Sequence, residues 1–379
     1  MRRTIRCPPL RPRSTAPLPA DPRYEKKMET KMTETIIGRR RVLAGGAATL
    51  AAPALLLPRR AAAAERCIVG TWGGDYAHLL AENIDDPILK PAGVNVIQTV
   101  GDEAPRVAKL FAERMLPHGT MDIACVGAPN GYRTGAAGLL EKLDPAKAPN
   151  LKYVLPYLTD AYFVPHIYSA QVVAYNPATV KDPPQSFGDL LAPRWKGKVG
   201  VVSTAGFWLM MAASLYASGN ANDFTKAKEL ILKLNANGLR LYPETDNLAP
   251  AFKSGEIEVG MIWFARTVMW QNAGFPVKGA FAKEGAILYV SGMVVPKNAP
   301  DKDAAWKYVD ALLAPSAQQG FAEHMGYWPT VSDAPLSGKT AQQLAMPTPR
   351  PKMVQPNYAY TVKVQAEMED WWQQNVERG

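Results

Sequence analysis

The sequence predicts an α/β protein built as two lobes. Its 379 residues leave room for two domains of ordinary size, each with its own core. Short apolar runs alternate with amphipathic ones, the strand–helix–strand order of a parallel sheet covered by helices. Between two such series lies a long extended run, Phe163 to Asn176, suited to crossing from one lobe to the other. At 47% hydrophobic and 20% charged residues the composition is globular, which excludes a disordered chain.

The first 64 residues read as a leader. Gly38-Arg39-Arg40-Arg41-Val42-Leu43 precedes an apolar stretch from Ala44 to Leu57, and Ala61 to Ala64 then lead to Glu65. A basic region, a short apolar region and small residues before a cut predict an export signal cleaved near Ala64. The arginine pair before Val42-Leu43 resembles the twin-arginine signal, with Ala44 where a basic residue is usual. Pro53 and Pro58 interrupt the apolar stretch, which argues against a membrane anchor. Residues 1–31, rich in Pro and Arg, read as an upstream extension, and Met32 is a better-placed start. The leader also explains the charge. It holds 14 Lys+Arg against 4 Asp+Glu, leaving 29 basic and 30 acidic residues of the totals 43 and 34. A near-neutral mature chain removes the main support for nucleic-acid binding.

The elements follow in order. Cys67 to Thr71 is a strand ending in the Gly-rich turn Trp72-Gly73-Gly74-Asp75-Tyr76, which opens a helix. Val94 to Val100 is the second strand, and Val107 to Met115 has helical spacing. Met121 to Val126 is the third strand, running into Gly127-Ala128-Pro129-Asn130. Loops at the carboxyl ends of these strands gather on one edge, where ligands sit in open α/β sheets. After the extended run comes strand Val199 to Val202, then Ser203-Thr204-Ala205-Gly206 and a helix near Phe207 to Ala217, apolar nearly all round. Such a helix is expected in a core. The next helix has Asn222 or Asp223 as N-cap, buries Phe224, Ala227, Ile231 and Leu234, and stops at Gly238. Glu244 to Asn247 starts a helix that ends at Ser254-Gly255. Ile257, Val259 and Met261 alternate with Glu256, Glu258 and Gly260, a strand that delivers Trp263 at its carboxyl end. Ala304 to Leu313, Pro315 to His324 and about Tyr360 to Val376 are helices, the last expected to pack on the second lobe.

Catalytic signals are thin. His78, His118, His166 and His324 are scattered, with no metal-ligand spacing, nucleophile elbow, Walker loop or dinucleotide fingerprint. No enzyme, cofactor or metal is expected. Tyr358 and Tyr360 are a close tyrosine pair, but no anionic cluster near them suggests iron. Cys67 and Cys125 lie in strands and read as buried thiols. What stands out is aromatic density at loop edges: Trp72, Tyr76, Tyr168, Trp208, Trp263, Tyr289 and Tyr358. Ring walls with a few polar groups make small-ligand sites, and ring faces hold cations.

In order and composition, the stretch Trp72 to Tyr76, the segment Phe187-Gly188-Asp189-Leu190-Leu191 with Arg194-Trp195-Lys196-Gly197-Lys198, Trp263, and the turn Gly326-Tyr327-Trp328-Pro329-Thr330 resemble the spermidine/putrescine-type periplasmic solute-binding proteins of ABC importers. The resemblance runs from about Cys67 to the end. It implies the two-lobed periplasmic binding protein type 2 fold, with a ligand cleft between the lobes and Ala286 to Pro296 as the return crossing. The lobes would be 65–167 with 290–340, and 168–289 with 341–379. It implies a monomer that captures a small solute by hinge closure and presents it to an inner-membrane permease and its ATPase, or alternatively to a chemoreceptor. Carried over by residue, Trp72 matches the family's tryptophan after the first strand, Trp263 matches its cleft tryptophan, Tyr289 takes the place of a second one, and Tyr358 falls near a late glutamine.

The departures concern the carboxylates that hold amines in that family. One falls here at Ser291, and the region after Val202 has Ser203, Thr204 and Phe207 instead. An ammonium buried without a carboxylate is costly. Ser203 and Thr204 at a helix N-terminus, with Arg266 three residues after Trp263, point instead to a carboxylate or a zwitterion such as a 4-aminobutyrate-like solute, an amino acid or an aromatic acid. Asp75 is the acidic candidate, beside Tyr76.

Overall fold

The computed structural model describes residues 65–378; the leader, its arginine pair and its cleavage site lie outside them. The elements run β1 (Glu65–Thr71), α1 (Asp75–Leu80), β2 (Val94–Val100), α2 (Glu103–Glu113), β3 (Ile123–Gly127), α3 (Ala128–Ala136) and the crossing strand β4 (Val164–Tyr175). A second series follows: β5 (Val199–Val202), α4 (Gly206–Ser218), α5 (Phe224–Ala236), β6 (Arg240–Tyr242), α6 (Thr245–Ser254), β7 (Val259–Trp263), α7 (Phe264–Asn272), β8 (Lys278–Ala280) and the return strand β9 (Ala286–Val294). The chain ends with α8 (Lys302–Leu312), α9 (Pro315–Met325), β10 (Trp328–Pro329), α10 (Gly338–Gln343), β11 (Met353–Val354) and α11 (Tyr358–Trp372).

One sheet carries the fold, with central order β2-β1-β3-β9-β4-β7-β5-β6. β1, β2 and β3 are parallel, as are β5, β6 and β7, the two parallel series expected of strand–helix alternation. Between them β9 pairs antiparallel with β3 and β4, and β4 pairs antiparallel with β7. The two trios therefore run in opposite directions, and their carboxyl ends meet over the middle of β4. Gly127 at the end of β3 aligns with Ser291, Ser291 with Ile167, and Trp263 at the end of β7 with Gln171. Four residues of β4 separate those two points, about 13 Å at about 3.3 Å per residue. That gap, floored by β4 and β9, is where the site lies.

Local chemistry explains the helices around it. Asp223 caps α5 by accepting from the Lys226 N–H at 3.3 Å, and the buried face is Phe224, Ala227, Ile231 and Leu234, as the spacing predicts. Asn247 closes back on the Glu244 N–H at 3.2 Å to start α6. α4 is buried along Gly206 to Leu215, which accounts for its apolar sequence on all sides. Among the described residues no helix is long and apolar enough to cross a membrane.

Two expectations change. The strand before Trp263 begins at Val259 rather than Ile257, and Val259 to Ile262 are all buried, so the two-residue alternation reflects Glu256 and Glu258 in the preceding turn. The C-terminal helix α11 packs on α4, as expected, but also on α3 of the first series, so it spans both halves of the sheet. Cys67 and Cys125 are free and buried; burial pushes the Cys125 thiol up to about 12, and that of Cys67 further still.

Candidate functional site

The first wall is built on the turn after β1. Gly74 adopts φ 62°, a left-handed conformation that glycine reaches without strain, and this starts α1 directly behind Trp72. Tyr76 is thereby set edge-on to Trp72, centroids 5.0 Å apart. Behind Trp72 the Arg106 guanidinium lies 5.4 Å from the ring and donates to the carbonyls of Cys125 and Gly101, each at 2.6 Å. Burial lowers its pKa, but three structural anchors hold it as part of the wall.

The second wall comes from β7, α7 and β9. α7 begins right after Trp263, and its first turn is tied to β4 by Ser169, whose hydroxyl accepts from the Ala265 N–H at 3.0 Å. This anchors Arg266, in the same turn. Trp263 stacks on Tyr289 at 4.8 Å, and Trp208 of α4 meets Trp263 edge-on at 4.7 Å. The Ser291 hydroxyl donates to that of Tyr289 at 2.9 Å. Burial is the main cause that raises the Tyr289 pKa, with Glu103 raising it further and Arg266 lowering it.

A cavity of about 310 Å³ between these walls brings together Trp72, Asp75, Tyr76, Arg266, Tyr289 and Ser291, with Tyr327 closing one side. Its volume is at the small end of ligand pockets, which begin at about 300 Å³. Among the described residues the only polar contact of the Arg266 guanidinium is with Met269 Sδ at 3.6 Å. A second cavity of about 530 Å³ shares Tyr289 and is lined also by Glu103, Asn130, Trp208, Tyr358 and Thr361. There Glu103 Oε1 accepts from the Gly127 N–H at 2.8 Å and from Asn130 Nδ2 at 2.6 Å, which holds the carboxylate at the strand edge. The Tyr358 and Thr361 hydroxyls are buried and lack hydrogen-bond partners among the described residues.

Of the ten residues singled out from sequence, six therefore line the first cavity, Tyr358 lines the second, and Trp263 reaches the site as the stacking partner of Tyr289. Ser203 and Thr204 do not join them. They line a separate cavity with Glu369, Asp370 and Glu377, and Gly206 at the head of α4 packs directly on the Trp372 indole. The helix N-terminus read as an anion site is bordered by carboxylates from the C-terminal segment. Tyr168, on the alternate face of β4, packs instead against Trp328 and hydrogen-bonds Tyr157 at 3.0 Å. Sequence reasoning missed Glu103 outright, and it noted the stretches of Asn130 and Tyr327 without singling out either residue. Glu103 follows β2 within three residues, so the strand-edge rule that placed Gly127 to Asn130 on the ligand edge would have found it too; Tyr327 lies in the Gly326-Tyr327-Trp328-Pro329 turn already noted.

Comparison with known proteins bears on this geometry. A family profile described as bacterial extracellular solute-binding protein matches residues 93–348. The spermidine/putrescine-binding periplasmic protein of Escherichia coli K12 is 28% identical over 256 residues, 64% of this chain and 72% of that one. The gamma-aminobutyric acid-binding protein of Pseudomonas aeruginosa is 26% identical over 278 residues, 69% of this chain and 76% of that one. The solved Atu4243-GABA receptor superposes with a TM-score of 0.72 at 22% identity, over 82% of this chain and 97% of that one. The periplasmic binding protein P5PA superposes with a TM-score of 0.62 at 18% identity, over 82% of this chain and 99% of that one, which establishes the periplasmic binding protein fold. With its carboxyl strand edges facing each other over a ring-walled cavity, the chain belongs to the bacterial extracellular solute-binding protein family, and it is a binding protein rather than an enzyme.

Proposed function

We propose that this chain is the extracytoplasmic solute-binding component of an ABC importer and that its ligand is a small zwitterion, with the carboxylate on Arg266 and the cationic end among Trp72, Tyr76 and Asp75. The observation that carries the ligand class is Arg266, a guanidinium inside a ring-walled cavity with no carboxylate partner among the described residues. A cation enclosed there is stabilised by an anion that arrives with the solute, and its planar fork suits a carboxylate. The opposite wall offers Asp75 and ring faces, which suit an ammonium. Lobes 65–167 with 290–340 and 168–289 with 341–379 would close about β4 and β9, and the closed monomer would be presented to the permease and its ATPase in the periplasm.

A diamine is the second reading. It is supported by the Escherichia coli relative, and by Asp75 and Glu103 standing on two cavities that share Tyr289. Arg266 weighs against it, since an ammonium held near an unpaired guanidinium is repelled. Calorimetric titration with 4-aminobutyrate and putrescine, on the wild type and Arg266→Met, separates the two. The zwitterion reading expects 4-aminobutyrate to bind and to lose about 3 kcal/mol in Arg266→Met, roughly a hundredfold. Tighter putrescine binding in Arg266→Met than in the wild type, with no 4-aminobutyrate binding, would overturn it.

A further inference from the structure

The strand β4 is irregular at one place. Pro165 aligns with Gly292 and Ile167 with Ser291, which leaves His166 as an extra residue, a bulge. Bulges re-aim side chains. Here the shift sets Ile167 beside Ser291 on the cavity and sends His166 beneath the first wall, only 1% exposed. His166 Nδ1 lies 2.8 Å from the Tyr76 hydroxyl, and the imidazole and Phe321 ring centres are 4.2 Å apart with the planes inclined by 68°. Its Nε2 is buried and has no hydrogen-bond partner among the described residues.

We propose that His166 is held as the Nε2–H tautomer, accepting from Tyr76, and that it thereby presents the Tyr76 oxygen to the cavity as an acceptor only, assigning this wall to the cationic end of the solute. The first part stands on the geometry of the pair; the second rests on the zwitterion reading of the cavity.

Two neutral arrangements satisfy the short contact. Either Nδ1–H donates to the phenol oxygen and Nε2 is a bare lone pair, or the phenol donates to Nδ1 and Nε2 carries the hydrogen. A phenol is the better donor and the poorer acceptor, because its oxygen lone pair is delocalised into the ring, whereas a neutral imidazole nitrogen is a good acceptor. Burial holds the imidazole pKa down, to about 3, so the doubly protonated ring does not compete near neutral pH. The only hydrogen of the Tyr76 hydroxyl is then committed to His166. What remains is an oxygen lone pair, on a residue that lines the cavity with Asp75 and Trp72. A solute carboxylate gains nothing from it; an ammonium gains an acceptor beside Asp75 and the Trp72 ring. His166 is thus a positioning residue that acts through Tyr76.

The tautomer is read without any ligand. Histidine-labelled protein, with the His166 signals assigned by their loss in His166→Phe, should show a pyridine-type Nδ1 and a pyrrole-type Nε2 in nitrogen NMR. The reverse pattern overturns the proposal. The second part is read by calorimetry with 4-aminobutyrate and butyrate, which share the carboxylate and differ in the ammonium. Tyr76→Phe should weaken 4-aminobutyrate about tenfold and leave butyrate unchanged, the loss expected for one hydrogen bond to a charged group. His166→Phe should add nothing in the Tyr76→Phe background. Equal loss for both probes marks a merely structural role and overturns the assignment of the wall. A wild type that binds neither probe removes the zwitterion reading and with it that assignment, while the spectrum still decides the tautomer.

Discussion

Acid should unfold this protein through His166 in particular. The ring is buried and its pKa is pushed down to about 3 from the ordinary 6.5 by desolvation. In the unfolded chain it protonates near 6.5, so below that pH the unfolded state binds the extra proton. The contribution is fully present above pH 6.5 and is lost as pH falls toward 3. Between pH 7 and pH 4 the loss is about 2.5 units at about 1.36 kcal/mol each, or about 3 kcal/mol. That is a large share of the 5–15 kcal/mol typical of a folded domain. Buried Asp85 and Asp122 have raised values and work in the opposite sense, so the wild type alone does not isolate the histidine. His166→Phe does. It keeps a ring against Phe321 and removes the titration, at a pH-independent cost of about 1–3 kcal/mol for the stranded Tyr76 hydroxyl. Urea unfolding followed by tryptophan fluorescence at pH 7 and pH 4 measures both. The variant should be the less stable at pH 7 and should lose about 3 kcal/mol less than the wild type on going to pH 4. Equal losses in the two proteins would refute the reasoning.

Three further outcomes are expected. Ser169→Ala removes the acceptor for the Ala265 N–H in the first turn of α7; it should cost about 1 kcal/mol in urea unfolding and weaken 4-aminobutyrate through Arg266, and unchanged values for both would show that the tie is idle. Gly292→Ala places a methyl group against the Val164 carbonyl where β9 crosses β4; overpacking at backbone should cost about 3 kcal/mol or more, seen as a lowered urea midpoint. Cys67 and Cys125 are buried with raised thiol pKa values, so a thiol reagent should leave them unmodified in the native protein and label both in urea; rapid native labelling would contradict their burial.

Much of the fold was written in local spacing. The α5 face of Phe224, Ala227, Ile231 and Leu234, the short strand Val199 to Val202 and the delivery of Trp263 at a strand end each depend on residues within one or two turns of one another. Aromatic residues at the carboxyl end of β1 led to Trp72 and Tyr76 for the same reason: the strand-edge rule needs only the order of elements. Tyr289, in the middle of β9, came from the family resemblance instead. Ser203 and Thr204 followed that rule too and still fell outside the cavity, because α11, some 165 residues further along the chain, lays Trp372 and its carboxylates on the head of α4. His166 read as one scattered histidine among four. Its place under Tyr76 is decided by a one-residue shift between β4 and β9, strands more than 100 residues apart. So the sequence by itself determined which elements form and which strand ends carry rings. Which of those ends face a common cavity, and which hydroxyl is turned into an acceptor there, was decided only when distant segments packed, since register and burial are properties of pairs of segments that no single stretch encodes.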